Sequence, residues 1–222
     1  MGYDLVIFDN DGVLVDSEPL ANGILAEYLT ELGHPTSYDE SVRDYMGSAV
    51  HRVHELVRER SGAQLPADFD ETLHARVFAA FERELRPVPG VEDVLGVLTA
   101  RGVAYCLASS SSHERIRVAL RAAGIDGWFE EEWIFSADDV GQGVPAPDLL
   151  LHAADQMGVA PARCVVVEDS PLGVQAAAAA GMDVYAFTAM LPADRLPGAT
   201  GYFGDMKQLP GLLGLESQAM GM

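Results

Sequence analysis

The sequence predicts an α/β protein built on a doubly wound parallel sheet, with a small all-helical unit inserted after the first strand. Three observations carry this prediction. A short apolar strand pattern comes first, at residues 3–8. Residues 17–85 then show only helical spacing of apolar residues, and from Val91 onward helices and strands alternate. Such alternation is typical of a parallel sheet that is covered by helices on both faces.

The composition indicates a folded protein with an acidic surface. Its 222 residues are 49% hydrophobic, which suffices for one domain with a packed core, or for one domain that carries a smaller insertion. The formal net charge of −20 makes nucleic acid and anionic membranes poor partners. An acidic surface also disfavours nonspecific association, so we expect a monomer or a weak homodimer.

The compartment is predicted from two further features. Cys106 and Cys164 both lie in apolar, strand-like runs, which predicts buried thiols in a reducing compartment. The sequence shows neither a secretory signal pattern nor an apolar run long enough to cross a membrane. We therefore expect a cytoplasmic protein.

The inserted unit is predicted to begin near Ser17, because a serine followed by Pro19 is typical of a helix N-terminus. Three apolar stripes at helical spacing follow. They are Leu20, Ile24, Leu25, Tyr28, Leu29 and Leu32; then Val50, Val53, Leu56 and Val57; then Phe69, Leu73, Val77, Phe81 and Leu85. Residues 86–90, with two prolines and a glycine, lead back to the sheet. We expect a core domain at residues 1–15 and 88–222, and a helical domain at residues 16–87.

The alternating part of the chain predicts four helices and four strands. The helices are expected at residues 91–100, 113–123, 147–157 and 173–180, and the strands at residues 103–108, near 133–135, 164–167 and 183–187. Polar residues stand at four places where these strands end or the next helix begins: Asp9-Asn10-Asp11-Gly12, Ser109 to Ser112, Gly143 to Asp148, and Glu168-Asp169-Ser170 followed by Gly173. Open α/β sheets place their ligand sites at that edge.

These polar residues suit phosphate and metal chemistry. Two buried carboxylates such as Asp9 and Asp11 need a cation or another partner, and they can act as nucleophile, metal ligand, acid or base. Backbone N–H groups after Ser109, at a helix N-terminus, can cradle a phosphate. Glu168 and Asp169 fit magnesium, which prefers oxygen ligands. The simpler alternatives are a serine-rich helix cap and two acids that only cap the next helix.

Taken in chain order, the motifs D-x-D-G-V-L-x-D-S, S-S, P-A-P-D and E-D-S-x-x-G resemble the haloacid dehalogenase (HAD) superfamily. The resemblance is to its phosphatase branch with a helical (C1) cap, which includes the β-phosphoglucomutase-like proteins, and it covers essentially the whole chain. It implies a Rossmann-like α/β core in which the helical domain is the cap. A two-component receiver domain uses similar acids, but it is far shorter and has no cap.

The resemblance also implies roles for individual residues. Asp9 would be the nucleophile that forms an aspartyl-phosphate, and Asp11 the general acid and base. Ser109 would hold the transferred phosphoryl group, helped by backbone N–H groups of Asn10, Asp11 and Ser110. Magnesium would be bound by Asp9, by the carbonyl oxygen of Asp11 and by Asp169, with Glu168 beside them. The cation neutralises charge when an anion attacks a phosphate.

One position departs from the family pattern. The family has a lysine immediately before P-x-P-D, where this chain has Val144, and that lysine pairs with the nucleophile and a phosphoryl oxygen. Its loss should cost several kcal/mol of transition-state stabilisation. The single lysine of the chain, Lys207, lies far away in sequence. The candidate replacement cations are His113 and Arg115 after the serine segment, and His51 and Arg52 in the cap.

The resemblance implies a Mg²⁺-dependent phosphomonoester hydrolase that acts on a small phosphorylated metabolite, such as a sugar or polyol phosphate. Several cap residues are candidates for contact with the substrate because they lie near the hinge or in the turn at residues 45–49. They are Glu18, Asn22, Met46, Gly47, Ser48, Ala49, His51 and Arg52. Two alternatives stay open. A β-phosphoglucomutase-like enzyme would need a histidine where this chain has Ala21, and Val144 is compatible with a catalytically impaired homologue.

Overall fold

The protein is described from a computed structural model, which defines residues 2–46 and 50–215. Within these residues the sheet has six strands: β1 (Leu5–Phe8), β2 (Ala104–Ser109), β3 (Ile134–Ser136), β4 (Cys164–Glu168), β5 (Asp183–Phe187) and β6 (Gly201–Phe203). All neighbouring strands pair in parallel, in the order β3-β2-β1-β4-β5-β6. The first strand therefore lies in the middle of the sheet, between β2 and β4.

Nine α-helices accompany the strands in the described residues. They are α1 (Glu18–Glu31), α2 (Tyr38–Tyr45), α3 (Val50–Ser61), α4 (Phe69–Glu84), α5 (Val91–Arg101), α6 (His113–Ala123), α7 (Asp148–Gln156), α8 (Pro171–Ala179) and α9 (Leu209–Leu212). Helices α1 to α4 come between β1 and α5 in the chain. The predicted alternation of helix and strand is confirmed for the rest.

The two faces of the sheet carry separate apolar cores, because successive side chains of a strand point to opposite faces. Val6 and Phe8 of β1 pack on one face, together with apolar residues of α5 and α6. Leu5 and Ile7 pack on the other face, against α7 and α8. These four β1 side chains are fully buried. The doubly wound α/β fold predicted from the sequence is thus confirmed.

The inserted helices have an apolar centre of their own, which is continuous with the α5–α6 side of the sheet. Tyr28 of α1 stacks on Phe69 of α4, with ring centroids 5.1 Å apart and an angle of 5° between the ring planes. Phe81 and Leu85, near the end of α4, are fully buried. No strand occurs among the described residues between 17 and 85, as the sequence predicts.

The chain crosses to the inserted helices and back through two adjacent segments. Val15 and Pro87 form an antiparallel bridge. The backbone N–H of Asp16 donates to the carbonyl oxygen of Arg86 at 2.9 Å, and the N–H of Val88 donates to that of Leu14 at 3.0 Å. The two crossing segments are therefore held side by side by backbone hydrogen bonds.

Several details differ from the sequence prediction. Helix α2 was not predicted, although Ser37 and Glu40 form a complete capping box at its start. The short edge strand β6 was not predicted either. Cys106 and Cys164 are buried and unpaired, as expected. Within the described ranges, no helix has the length and apolar character needed to cross a membrane.

Candidate active site

Three carboxylates meet where the central strands β1 and β4 end. Asp9 follows β1, and its backbone N–H donates to the carbonyl oxygen of Val167 at 3.0 Å. Glu168 ends β4, and Asp169 comes next. One carboxylate oxygen from each of Asp9, Glu168 and Asp169 lies within 4.8 Å of the other two. The parallel pairing of β1 with β4 therefore brings together residues that are about 160 positions apart in the sequence.

The electrostatics of this carboxylate cluster call for a cation. Burial, followed by the negative charges of Glu168 and Asp169, raises the pKa of Asp9 well above its usual range. Burial and the charge of Glu168 do the same for the pKa of Asp169. Burial also raises the pKa of Glu168 to about 7. Three like charges, of which Glu168 and Asp169 are buried and Asp9 is half-buried, favour their ionised forms only when a positive charge lies among them.

Unpaired polar atoms support the same conclusion. Among the described residues, three buried side-chain atoms have no hydrogen-bond partner: Oδ2 of Asp169, Oδ1 of Asn10 and Nδ1 of His113. The first two belong to the acidic motifs at the sheet edge. A buried carboxylate oxygen without a partner is costly unless a ligand satisfies it. Hard divalent cations prefer oxygen donors of this kind. The cluster of Asp9, Glu168 and Asp169 thus fits a divalent metal ion.

Two glycines make room for the carboxylates. Gly12 adopts the left-handed conformation, with φ of +79°, and a β-carbon added there would overlap the carboxylate of Asp169. A β-carbon added at Gly173 would overlap the carboxylate of Glu168. Glycine is required wherever another group approaches the backbone so closely. The glycines of the two sequence motifs are therefore explained by the packing of the acids.

Asp11 lies apart from that cluster and has a different environment. Its Oδ1 accepts hydrogen bonds from Ser17 Oγ at 2.6 Å and from Arg115 Nη2 at 3.0 Å, and its Oδ2 accepts one from Ser111 Oγ at 3.0 Å. Burial alone would raise the pKa of Asp11, but the charge of Arg115 and these hydrogen bonds outweigh it and hold the pKa below its usual value. Asp11 is thus an ionised carboxylate with firm partners.

The serines after β2 divide into different roles. Ser112 is the residue that caps α6, since its Oγ accepts from the N–H of Arg115 at 3.4 Å. Ser110 and Ser111 line the cleft above the sheet. Ser109 is buried, and its Oγ accepts from the N–H of Ser111 at 3.2 Å. The segment is therefore more than a helix cap, because Ser111 donates its hydroxyl to Asp11. Ser112 lines the cleft as well, whereas Ser109 lies beneath it and is not part of its lining.

The second acidic motif is not a helix cap. The side chain of Ser170 caps α8 by accepting from the N–H of Gly173 at 3.0 Å, and its Oγ donates to Oε2 of Glu168, also at 3.0 Å. Glu168 and Asp169 are thus free of the capping role that the sequence left open for them. Ser17 differs from its prediction in the opposite way. It precedes α1 but makes no side-chain cap, and its hydroxyl serves Asp11 instead.

A cleft of about 810 Å³ opens above these residues, between the sheet edge and the inserted helices. Asp9, Asp11, Glu168 and Asp169 line it from the sheet side. The predicted contact residues that also line it are Glu18, Asn22, Met46, His51 and Arg52. Three other predicted contact residues, Gly47, Ser48 and Ala49, lie outside the described residues. Val144, which stands where the family has its lysine, lines the cleft as well.

Glu18 is another carboxylate of this cleft whose pKa is shifted. Burial and the negative charge of Asp11 raise the pKa of Glu18 to about 7, against a hydrogen bond from Asn22 that lowers it. Asn22 Nδ2 donates to Glu18 Oε2 at 2.8 Å, while its Oδ1 accepts from Ser41 Oγ at 3.1 Å. This chain of hydrogen bonds joins α1 to α2 and fixes the orientation of Glu18.

The four candidate replacement cations are placed very differently. Arg115 contacts Asp11 directly. His113 faces away, with Nε2 2.9 Å from Oδ1 of Asp139. Arg52 lines the cleft but pairs with Glu55 at 3.1 Å, and 41% of its side chain is exposed. His51 is exposed on the same helix.

Comparisons with known proteins identify relatives along most of the chain. The family model of the haloacid dehalogenase-like hydrolases matches residues 3–181. The chain is 34% identical to a phosphoglycolate phosphatase of Pseudomonas putida over 83% of its own length and 69% of that protein. It is 31% identical to hexitol phosphatase A of Escherichia coli over 85% and 83%, respectively. It is also 32% identical to the bifunctional riboflavin kinase/FMN phosphatase of Arabidopsis thaliana, of which it spans only 47%.

Solved structures resemble it along nearly the whole chain. A conserved haloacid dehalogenase-like protein of unknown function from Agrobacterium tumefaciens superposes with a TM-score of 0.86 at 36% identity, covering 96% of this chain and 98% of the other. A HAD family hydrolase from Deinococcus radiodurans, solved with bound phosphate and sodium, gives 0.83 at 31% identity over 98% and 99%.

Proposed function

This chain belongs to the haloacid dehalogenase-like hydrolase family, and we propose that it is a Mg²⁺-dependent phosphatase of small phosphorylated metabolites, acting through an aspartyl-phosphate on Asp9. One observation carries the proposal. Asp9 lies within a buried carboxylate cluster that fits a divalent cation, on the floor of a cleft that Asp11 and the serines after β2 also line. Nucleophile, acid–base group and phosphate-binding groups are then within reach of one substrate.

Asp9 is the proposed nucleophile. Its carboxylate oxygen attacks phosphorus, the bond from phosphorus to the substrate oxygen breaks, and Asp11 donates a proton to the leaving alcohol. In the second step Asp11 takes a proton from water, which attacks phosphorus and releases inorganic phosphate with Asp9 regenerated. Asp9 must be ionised to attack phosphorus, and since burial and neighbouring acids raise its pKa, a bound cation would favour that form. Asp11 must carry a proton to act as the acid, although its partners lower its pKa; the proton that it takes from water in the second step is the one that it gives to the leaving alcohol in the next turnover.

The transferred phosphoryl group needs hydrogen-bond donors for its three equatorial oxygens, which lie between the attacking and the leaving oxygen. Ser109 ends β2, which pairs in parallel with β1, the strand that Asp9 follows. We assign the phosphoryl group to Ser109 with backbone N–H groups of Asn10, Asp11 and Ser110. The buried position of Ser109 supports a fixed orientation of its hydroxyl. Donors held in place before the reaction stabilise the charge of the transition state more than mobile donors do.

Asp9, Glu168 and Asp169 would hold the magnesium ion, with the carbonyl oxygen of Asp11 as a further ligand. When bound, the ion supplies positive charge that lets an anionic nucleophile approach a phosphate. The unpartnered Oδ2 of Asp169 and the oxygen-only donor set support this assignment.

A sugar or polyol phosphate is the substrate class that we favour. A volume of about 810 Å³ is in the range of small-molecule clefts, and the inserted helices provide polar contacts such as Glu18 and Asn22. The relatives with established names act on phosphorylated metabolites, among them hexitol phosphatase A. Helices that cover the strand ends also exclude water during phosphoryl transfer.

The test is Mg²⁺-dependent phosphate release across a panel of phosphorylated sugars, polyols, nucleotides and phosphoglycolate. We expect activity that disappears with chelator and in Asp9→Asn, which keeps the side-chain shape but removes the nucleophile. Asp11→Asn should slow both steps, but with an aryl phosphate, whose leaving group needs no acid, the second step slows most, so mass spectrometry of quenched enzyme should find one phosphoryl group on Asp9. Full activity in Asp9→Asn would contradict the mechanism.

A second candidate is a catalytically impaired homologue, which the position of Val144 in the cleft wall favours. Such a protein would bind a phosphorylated ligand without turning it over. Silence across the panel by folded protein, together with phosphate binding measured by calorimetry, would support this candidate over the phosphatase.

A further inference from the structure

The cleft is strongly negative for an enzyme that binds phosphate. Asp9, Asp11, Glu18, Glu168 and Asp169 all line it, and the position of the family lysine is occupied by Val144. Among the described residues that line the cleft, no lysine occurs, and the arginines are Arg52 and Arg115. Arg52 and Arg115 are therefore the two arginines of the described cleft wall that could place a fixed positive charge beside the reacting phosphoryl group.

Arg115 is placed by the helix that follows the serine segment. It is the third residue of α6, where its backbone N–H donates to the capping Ser112 Oγ at 3.4 Å. From this first turn its side chain extends to the turn after β1, where Nη2 lies 3.0 Å from Oδ1 of Asp11. Only 19% of the side chain is exposed. The guanidinium is therefore a largely buried charge at the sheet edge.

The inserted helices cover this guanidinium from the other side. Its Cζ lies 5.1 Å from the ring centroid of Phe81, a fully buried residue of α4. An aromatic face attracts a cation and also keeps water away from it. Burial would lower the pKa of Arg115, but the negative charges of Asp11, Glu18 and Asp9 outweigh this effect and raise it. Arg115 thus stays charged in a place where screening by water is weak.

The other candidate cations lack these features. His113 is absent from the cleft lining and pairs with Asp139. Arg52 pairs with Glu55, and 41% of its side chain is exposed. His51 lines the cleft but is exposed. A guanidinium has five N–H donors in a planar fork that matches phosphate oxygens, and the hydrogen bond to Asp11 uses one of them. Arg115 can therefore hold Asp11 and still bind a phosphoryl oxygen.

From this geometry we propose that Arg115 is a catalytic residue that replaces the lysine missing at Val144, by binding the transferred phosphoryl group beside Asp9. The inference rests on the proposed phosphatase function and deepens it. It makes the cation come from the start of α6, behind the serine segment, rather than from the loop before α7. The site is then complete although its sequence motif is not.

The test uses Arg115→Met, which keeps the length of the side chain without its charge, alone and combined with Val144→Lys. We expect Arg115→Met to lower kcat/KM for the Mg²⁺-dependent reaction about 100-fold. Adding Val144→Lys should restore at least about 10-fold of that loss, because the lysine returns the cation by the family's own route. The matched control is Arg117→Met, two residues along the same helix, where the arginine pairs with Glu131 on the surface and no change is expected.

Binding of inorganic phosphate in Mg²⁺, measured by calorimetry, gives a second readout that needs no turnover. We expect weaker phosphate binding in Arg115→Met and recovery in the double variant. Arg115→Gln serves the same purpose if Arg115→Met does not fold, because its amide can still donate to Asp11. Unchanged phosphate affinity in the neutral variants would overturn the proposal even if turnover fell, since Arg115 would then act only through Asp11. A wild-type protein that binds phosphate through Arg115 but hydrolyses nothing would contradict the phosphatase function alone.

Discussion

The carboxylate of Asp169 lies so close to Gly12 that a β-carbon on this glycine would overlap it. Gly12 also has a φ of +79°, which costs a residue with a side chain about 1 kcal/mol. The turn after β1, at Asp11 and Gly12, and the acidic motif after β4 are thus packed closely against one another. This contact gives the first prediction.

Gly12→Ala should displace Asp169 and weaken Mg²⁺ binding by about 10-fold to 100-fold. Phosphatase activity should fall with it, and the free energy of unfolding should drop by about 1 kcal/mol from the backbone alone. Gly33→Ala is the matched control, because Gly33 has a similar φ of +85° but open space around its missing side chain. Equal Mg²⁺ affinity in the two variants would contradict the role given to Gly12.

Asp169→Asn should separate stability from metal binding. Burial raises the pKa of Asp169, so ionisation of this group at pH 8 opposes folding when no metal is present. In chelator we expect the free energy of unfolding of the variant to exceed that of wild type by roughly 1–2 kcal/mol, so that the variant unfolds at a higher temperature. Wild type should gain about 2.7 kcal/mol in Mg²⁺ at one hundred times the dissociation constant, and the variant much less.

Asp194→Asn is the control for that measurement, since Asp194 is exposed and remote from the carboxylate cluster. Thermal unfolding of wild type and of the two variants, with and without Mg²⁺, measures how much stability each protein gains from the ion. A Mg²⁺-induced gain that survives in Asp169→Asn would place the ion elsewhere.

Glu18→Gln should change the pH dependence of stability. The pKa of Glu18 is raised to about 7 in the folded protein, above its usual value of 4.5. The unfolded chain therefore loses its proton first, and stability falls as the pH rises from about 4.5 to 7. Removing this group should stabilise the protein above pH 7 by on the order of 2 kcal/mol, and hardly at all at pH 4. Denaturant unfolding at the two pH values measures this, and equal effects at both would exclude the raised pKa.

Ser109→Ala tests which serine holds the phosphoryl group. Ser109 is the buried end of β2, while Ser111 donates its hydroxyl to Asp11. We expect Ser109→Ala to lower kcat/KM about 100-fold and to weaken inhibition by inorganic phosphate. Ser111→Ala should leave phosphate inhibition nearly unchanged. The opposite ranking of the two variants would move the phosphate site to Ser111.

The strand ends were predictable because each motif combines an apolar strand pattern with polar residues that packing does not need. Asp9, Ser109 and Glu168 all lie at the carboxyl ends of the central strands β1, β2 and β4, which parallel pairing brings to the same edge of the sheet. Helix α2 was missed although its capping box is readable, because the sequence YDESVRDY has few apolar residues. Strand β6 has only three residues, too few for a period to be recognised.

Long-range partners were beyond the reach of the sequence. Arg115 and Asp11 are 104 positions apart, and nothing in either motif indicates which of several cations reaches the acid. Ser17 is an example of a correct residue with a wrong role. A serine before Glu18 and Pro19 has the pattern of a helix cap, yet the approach of the D-x-D loop gives its hydroxyl a stronger acceptor, the charged Asp11.

The bridge between Val15 and Pro87 has an implication for engineering and for the ancestry of such proteins. The two ends of the helical segment leave the sheet side by side. For the sheet, the whole segment is therefore equivalent to one surface loop, whatever its length. The entropy of closing a loop grows only slowly with its length, so a larger or smaller segment would disturb the sheet little. Replacing the segment between Val15 and Val88 with another set of helices would then change which substrates fit the cleft and leave the residues at the sheet edge in place.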